Sequence, residues 1–418
     1  MSKTNSRVVI TGMGLLTALG SEIDTFWDRL VAGESGITRI TQFDPDGLPC
    51  QIAGEIHDFD PHMYFPLKEA RRMSRAAQIA TASAQKALDD SKLDLPLQNP
   101  DRVGVYFGTA VGGIERVAAG LDTLREGGYS RLNPFILPSA IPNMPAFHVT
   151  RLVGALGPNS TITTACATGT QTIGQAAHII RYNHADIVIA GGVEGLIQPF
   201  ALGGFASMRA LPTSFNDDPT KASRPFDAKR EGFVFSEGAA TVVLENLDHA
   251  LARGAHIYAE VTGYASSSDG FHMAVPEPSG KGAILTITRA LEDAEIKPDE
   301  VDYVNAHGTS TPANDAVETL AIKAVFGERA MSIPISSTKS MIGHAMGASG
   351  AIEAIVCALT IERETIHPTI NYEFPDPACD LDYVPNQARQ IKVNTVLSNS
   401  FGLGAQNACL VIQRLEAV

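Results

Sequence analysis

Apolar positions along this chain fall into short continuous runs separated by stretches of helical period. Strands buried on both faces, alternating with amphipathic helices, produce that pattern. Val103-Gly104-Val105-Tyr106-Phe107-Gly108-Thr109 reads as one buried strand ending in Gly-Thr before a helix. Val301-Asp302-Tyr303-Val304-Asn305-Ala306-His307-Gly308-Thr309 repeats the reading in the second half. Residues 161–182 correspond to 335–361, and 187–192 to 396–402, and each half closes on an apolar strand, 240–244 and 408–412. The matched order predicts a duplicated α/β chain, divided into residues 1–255 and 256–418.

The helices after the repeated turns are rich in small residues: Gly169, Gly174, Ala176 and Ala177 in one, Gly343, Gly347, Gly350, Ala351 and Ala354 in the other. Glycine weakens an isolated helix, so its density predicts close packing in a layer covered on both sides. The expected architecture is two mixed sheets around a central helical layer, with further helices outside, five layers in all. In such sheets sites form beyond the carboxyl ends of strands, where Cys166, His307, the His344 turn and the Gly402-Leu403-Gly404 turn all fall.

A chain of 418 residues with 44% hydrophobic and 19% charged residues has ample apolar surface for two domains or one duplicated unit. The net charge of −14 argues against nucleic acid as a partner, and an acidic partner would need a local basic patch. Five scattered cysteines with no CxxC pair speak against a disulfide framework or a structural zinc site and for the reducing cytoplasm. The N-terminus has no signal-peptide pattern, and no apolar run is long enough to span a membrane. Gly12-Met13-Gly14 only superficially resembles a dinucleotide fingerprint, because the third glycine is out of register.

Cys166 sits where the apolar segment 152–162 gives way to Thr163-Thr164-Ala165-Cys166-Ala167-Thr168-Gly169-Thr170. The stretch after it places Ile173, Ala176, Ala177 and Ile180 on one helical face, so the thiol marks a strand-to-helix junction. Unpaired N–H groups and the helix dipole there favour the nucleophilic thiolate.

Four motifs in order then carry a resemblance: Thr164-Ala165-Cys166-Ala167-Thr168-Gly169, Asn305-Ala306-His307-Gly308-Thr309-Ser310-Thr311, Lys339-Ser340-Met341-Ile342-Gly343-His344 and Asn399-Ser400-Phe401-Gly402-Leu403-Gly404. Over nearly its whole length the chain resembles the β-ketoacyl-acyl carrier protein synthases, condensing enzymes of the thiolase superfamily, and within them the synthase II group. The resemblance implies a duplicated thiolase-like αβαβα fold and an acyltransferase. It would load an acyl chain on Cys166 and condense it with malonyl carrier by decarboxylation, in fatty acid synthesis or in a specialised lipid or polyketide pathway. A noncatalytic chain-length partner would usually lack the cysteine.

By the same resemblance, His307 and His344 direct N–H groups at the malonyl thioester oxygen. The tetrahedral oxyanion at Cys166 needs donors of its own, and the backbone N–H groups of Cys166 and Leu403 are the expected hole, since a backbone donor works whatever the side chain. Lys339 orients the site near His344, Glu318 pairs with it and Asp315 supports that network. Thr309 and Thr311 bond the phosphopantetheine arm, which arrives on the substrate, so neither cofactor nor metal is expected. Val111, Ile136, Leu196, Phe205 and Met346 match acyl-pocket positions. Lys68, Arg71 and Arg72, at i, i+3 and i+4, join Arg131 and Arg209 as the docking patch for an acidic acyl carrier protein. The family is typically a homodimer.

The chain departs from the family pattern at Leu403, where a gating Phe is usual, at Ala405 and Gln406, at Ala274 in place of a pantetheine-contacting Thr, and at Ser130, a place often basic. These changes bear on specificity more than on activity. A degradative thiolase would carry a second catalytic cysteine at Leu403, and acetyl-CoA-priming synthases have an asparagine where this chain has His344.

Overall fold

The computed structural model describes residues 6–416. The first half contributes strands β1 (Val8–Leu16), β2 (Val103–Thr109), β3 (Asn159–Ser160), β4 (Ile187–Glu194) and β5 (Gly238–Asn246). The second contributes β6 (Ala259–Ser268), β7 (Tyr303–Asn305), β8 (Ile335–Ser336), β9 (Thr395–Gly402) and β10 (Gln406–Gln413). Their spatial order is β3-β2-β4-β5-β1 followed by β6-β10-β9-β7-β8, so the second leaf is the mirror reading of the first. Strand senses repeat too: β5 is antiparallel to β1 and β4, and β10 to β6 and β9, while the outer strands run parallel.

Two sheets were expected. The two leaves are hydrogen-bonded edge to edge through β1 and β6, in the short register Val9↔Glu260 and Ile10↔Ala259.

Helices repeat in the same way. α1 (Arg75–Ser91), α2 (Met144–Val153) and α3 (Thr168–Arg181) belong to the first half, and α4 (Lys281–Asp293), α5 (Pro312–Phe326) and α6 (Ser349–Arg363) to the second. α3 and α6 pack on strands of both leaves, whereas α1 covers the outer face of the first leaf and α4 that of the second. This is the expected five-layered arrangement. Along β4, Val188 and Ala190 face the inner core, and Ile187, Ile189 and Val193 the outer one, which is why the strand reads as a continuous apolar run.

The helical glycines are explained at α3 and α6. A Cβ at Gly169 would lie 2.4 Å from the Ala351 nitrogen, and one at Gly350 would lie 2.1 Å from Thr170 Oγ1. Only glycine lets the two backbones approach so closely at the pseudo-symmetry axis. The apolar segment 152–162 forms less strand than its composition predicts: α2 runs to Val153, Gly154 takes a left-handed φ of 69°, and only Asn159–Ser160 pair with β2.

Candidate active site

Strand ends and helix starts bring the chemistry together. Cys166 lies in a single 3-10 turn, Ala165–Ala167, directly before α3, and Met346–Ala348 forms the same turn before α6. Each turn opens on a residue with positive φ, Ala165 at 49° and Met346 at 44°. The structural counterpart of Cys166 is therefore Gly347, with His344 three residues upstream. The β9–β10 hairpin closes over the nucleophile's turn, where a Cβ at Gly402 would come 2.8 Å from the Thr164 carbonyl oxygen and 3.3 Å from the Cys166 nitrogen. Glycine is obligatory at that approach.

The sulfur of Cys166 and one ring nitrogen each of His307 and His344 lie within 4.8 Å of one another, all three residues buried. The imidazole rings meet edge to face, 5.5 Å between centroids. They share a cavity of about 330 Å³ with Phe205, Met346 and Leu403. His344 Nδ1 lies 2.9 Å from Ser349 Oγ, while Nε2 has no protein partner. With the serine hydroxyl donating to Nδ1, the proton sits on Nε2, which is then a free donor. Burial, Lys339 and the neighbouring His344 hold His307 well below the usual imidazole range, and burial and Lys339 do the same to His344. Both rings are neutral at pH 7.

The thiol departs from expectation. Burial pushes Cys166 up to about 11, over the lowering effects of the Leu403 N–H directed at its sulfur and of the Lys339 charge. The helix-end donors are present, but desolvation of a buried sulfur outweighs them, and the resting group is a thiol rather than a thiolate.

Lys339 and Glu318 do not pair. The Lys339 ammonium is bonded to Glu353 on α6, each side chain 1% exposed. Glu318 on α5 instead accepts the backbone N–H groups of His307 and Gly308, both at 2.8 Å, and Asn399 Nδ2 at 3.3 Å. It fixes the His307 backbone. Asp315 also lies outside the expected network: its carboxylate accepts the Phe226 N–H at 2.8 Å and faces Arg230 at 3.5 Å. An acid at these positions of α5 satisfies donors brought by the neighbouring loops, which a helix-face reading cannot see.

Thr309 and Thr311 line the cavity and bond each other through their hydroxyls at 2.9 Å, and Ala274 lines it as well. Leu196 packs in the core cluster that contains Cys166, Met346 and Phe205. Val111 and Ile136 lie outside this cavity: Val111 is 36% exposed, and Ile136 packs against Gly120 on the helix Ile114–Gly127. Lys68, Arg71 and Arg72 are exposed and border one shallow depression with Asn133, Pro134 and Phe135, the Arg72 guanidinium 4.4 Å from the Phe135 centroid. Arg131 is exposed on the segment preceding that depression, while Arg209 stands apart at the mouth of the cavity.

Sulfur and two imidazole nitrogens are three of the four ligands a structural zinc takes, but the nearby Lys339 charge opposes a divalent cation there. Neutral donors around a sulfur suit an oxyanion instead. Glu353, missed from the sequence, had a signal: it is the lone charge in the apolar stretch from Ser349 to Ile361.

Family models match residues 5–250 as the beta-ketoacyl synthase N-terminal domain and 258–373 as its C-terminal domain. The chain is 48% identical over 409 residues to the 3-oxoacyl-[acyl-carrier-protein] synthase 2 of Coxiella burnetii, covering 98% of this chain and 99% of that protein. Among solved structures, a beta-ketoacyl synthase from Burkholderia phymatum aligns with TM-score 0.92 and 38% identity, over 98% of this chain and 100% of the other. A ketosynthase in a type II polyketide system, solved with its acyl-carrier protein and bound to the hexaketide, aligns at 0.90 and 35%, over 98% and 100%.

Proposed function

The chain belongs to the β-ketoacyl synthase family, and from that premise we propose how its residues divide the labour of a condensing acyltransferase. The activity itself is that of a β-ketoacyl-acyl carrier protein synthase, which elongates acyl chains. In our reading Cys166 accepts the acyl group: its sulfur bonds the thioester carbon, the carrier sulfur leaves, and the thiol proton goes to that departing sulfur. The N–H groups of Leu403 and Cys166 receive the oxyanion of the tetrahedral intermediate, supported by the direction of the Leu403 N–H at the sulfur.

Malonyl carrier then enters the emptied arm channel past Thr309 and Thr311. His344 and His307 hold its thioester oxygen while carbon dioxide leaves, and the enolate attacks the Cys166 thioester. The new carbon–carbon bond forms as the carbon–sulfur bond breaks, and the Cys166 thiolate that leaves takes up one proton from solvent, the proton the decarboxylative condensation consumes overall. Neutral imidazoles suit this role, because they donate without placing a second full positive charge beside Lys339. The single observation that carries the reading is the sulfur and two imidazole nitrogens within 4.8 Å in one cavity.

Extension by two carbons in fatty acid synthesis is favoured by the 45–48% identity to synthases 2, against 35% to the ketosynthase that holds a hexaketide. We further propose that Lys68, Arg71, Arg72, Arg131 and Arg209 receive the acyl carrier protein. The enzyme acts without a cofactor of its own, as a cytoplasmic homodimer whose halves divide at 255/256. No helix among the described residues is long and apolar enough to cross a membrane, and the five cysteines are buried and unbridged, which suits that compartment.

The test is substitution of each histidine. His307→Ala and His344→Ala should lower decarboxylation of malonyl carrier by about 100-fold or more while Cys166 still becomes acylated. Full decarboxylation in both variants contradicts the assignment.

A further inference from the structure

Thr309 and Thr311 face the cavity from a strip of chain that sets aside two local preferences at once. Ser310, between them, has a left-handed φ of 68°, a conformation unfavourable for a residue with a Cβ. Thr311 directly precedes α5, where a threonine hydroxyl ordinarily accepts an N–H of the helix. It makes no such bond, and its hydroxyl meets that of Thr309 at 2.9 Å on the cavity wall. A strip of this kind persists only where its surroundings over-determine it.

The holding contacts come from residues 224–230. The Arg224 N–H donates to Ser310 Oγ at 3.0 Å, and the Phe226 N–H donates to the Asp315 carboxylate at 2.8 Å. Arg230 grips the strip itself. Its guanidinium donates from Nε to the Thr311 carbonyl at 3.2 Å and from Nη2 to the Pro312 carbonyl at 3.1 Å. Nη1 donates to the Asp227 carbonyl at 2.8 Å and to the Asp376 carboxylate at 2.6 Å, and Nε lies 3.5 Å from Asp315. The residue is only 8% exposed, so its charge is buried but paired. Glu231, Gly232 and Phe233, which follow it in the chain, line the same cavity as Thr309 and Thr311. One side chain therefore ties two pieces of the cavity wall together.

We propose that Arg230 is a positioning residue for the thioester arm: by fixing the Thr311 and Pro312 carbonyls it keeps the strained strip, and with it the two threonine hydroxyls, in place to bond the arm of the carrier. This deepens the reading that those hydroxyls bond the arm, and rests on it. A planar fork can hold two successive carbonyls at once, whereas the point charge of a lysine cannot. The groups at Cys166 are held by other contacts, Glu318 on the His307 backbone and Ser349 on the His344 ring, so the role belongs to substrate binding and not to the chemistry.

Steady-state kinetics with malonyl carrier test this in four proteins: wild type, Arg230→Lys, the pair Thr309→Val with Thr311→Val, and all three changes together. Arg230→Lys should raise the Michaelis constant for malonyl carrier about tenfold while kcat falls by less than about threefold, the signature of lost uniform binding. The threonine pair should raise it at least as much, and the triple variant no further, because Arg230 acts through those hydroxyls. A purely structural arginine would instead lower the melting temperature and kcat and add its loss to that of the threonines. A wild-type constant in Arg230→Lys, or losses that multiply in the triple variant, overturns the inference alone. A wild-type constant in the threonine pair overturns the arm reading and the inference with it. If Arg230→Lys does not fold, Asp376→Asn decides: it loosens the Nη1 end of the fork and should raise the constant in the same direction by less, and an unchanged constant overturns the inference.

Discussion

Lys339 gives its ammonium to Glu353 on the opposite side of the His344 turn, although Glu318 is also buried in the same site. The arrangement spares the site an unpaired buried cation while leaving the positive charge near the thiol and both imidazoles. Breaking such a pair from one side costs about 3–5 kcal/mol, whereas replacing both partners by apolar groups is often neutral.

Glu353→Ala should therefore lower the melting temperature by several degrees, and the double variant Lys339→Met, Glu353→Met should recover most of the loss without recovering turnover. Thermal melts of the two proteins check this. A single variant that melts with the wild type removes the pair from the account.

Leu403 supplies a backbone donor to the nucleophile and a side chain to the cavity wall. A planar ring in its place keeps the donor and narrows the entrance to the acyl chamber. Leu403→Phe should keep turnover with the preferred acyl carrier within about tenfold and reduce it more for others, since one pocket contact shifts selectivity by about 1–3 kcal/mol. Identical chain-length profiles for the two proteins would show that the residue does not gate.

Much of this was legible in the sequence and some was not, for physical reasons. The buried strands announced themselves as continuous apolar runs because both faces of each leaf are covered, and the repeat followed from their order. The four motifs placed Cys166, His307, His344 and Lys339 because backbone turns with glycine at fixed positions must abut there. What sequence could not give was who bonds whom across the central layer. Glu318 reads as a partner for Lys339 until Glu353 arrives from α6, and Val111 and Ile136, which match pocket positions, lie before and against the helix Ile114–Gly127, away from the cavity that holds Cys166. The ionisation of Cys166 was misjudged because helix-end donors are visible in a sequence and the depth of burial is not.

Arg71 and Arg72 border one exposed depression with Lys68, on a molecule whose net charge is −14. Reversing both charges should raise the Michaelis constant for the carrier about tenfold or more at low salt and leave alkylation of Cys166 untouched, because an exposed rim charge acts on encounter and not on chemistry. An unchanged constant moves the docking surface elsewhere.

The central claim is that the sulfur of Cys166 carries the acyl chain to the enolate steadied by His307 and His344. Its most direct test is intact-protein mass spectrometry after incubation with acyl carriers of several lengths and no malonyl carrier. The account predicts one added acyl group per chain, mapped to the Cys166 peptide, absent in Cys166→Ala and discharged when malonyl carrier is added to the wild type but not to His307→Ala or His344→Ala. An acyl group found on another residue, or one that both histidine variants still discharge, would contradict it.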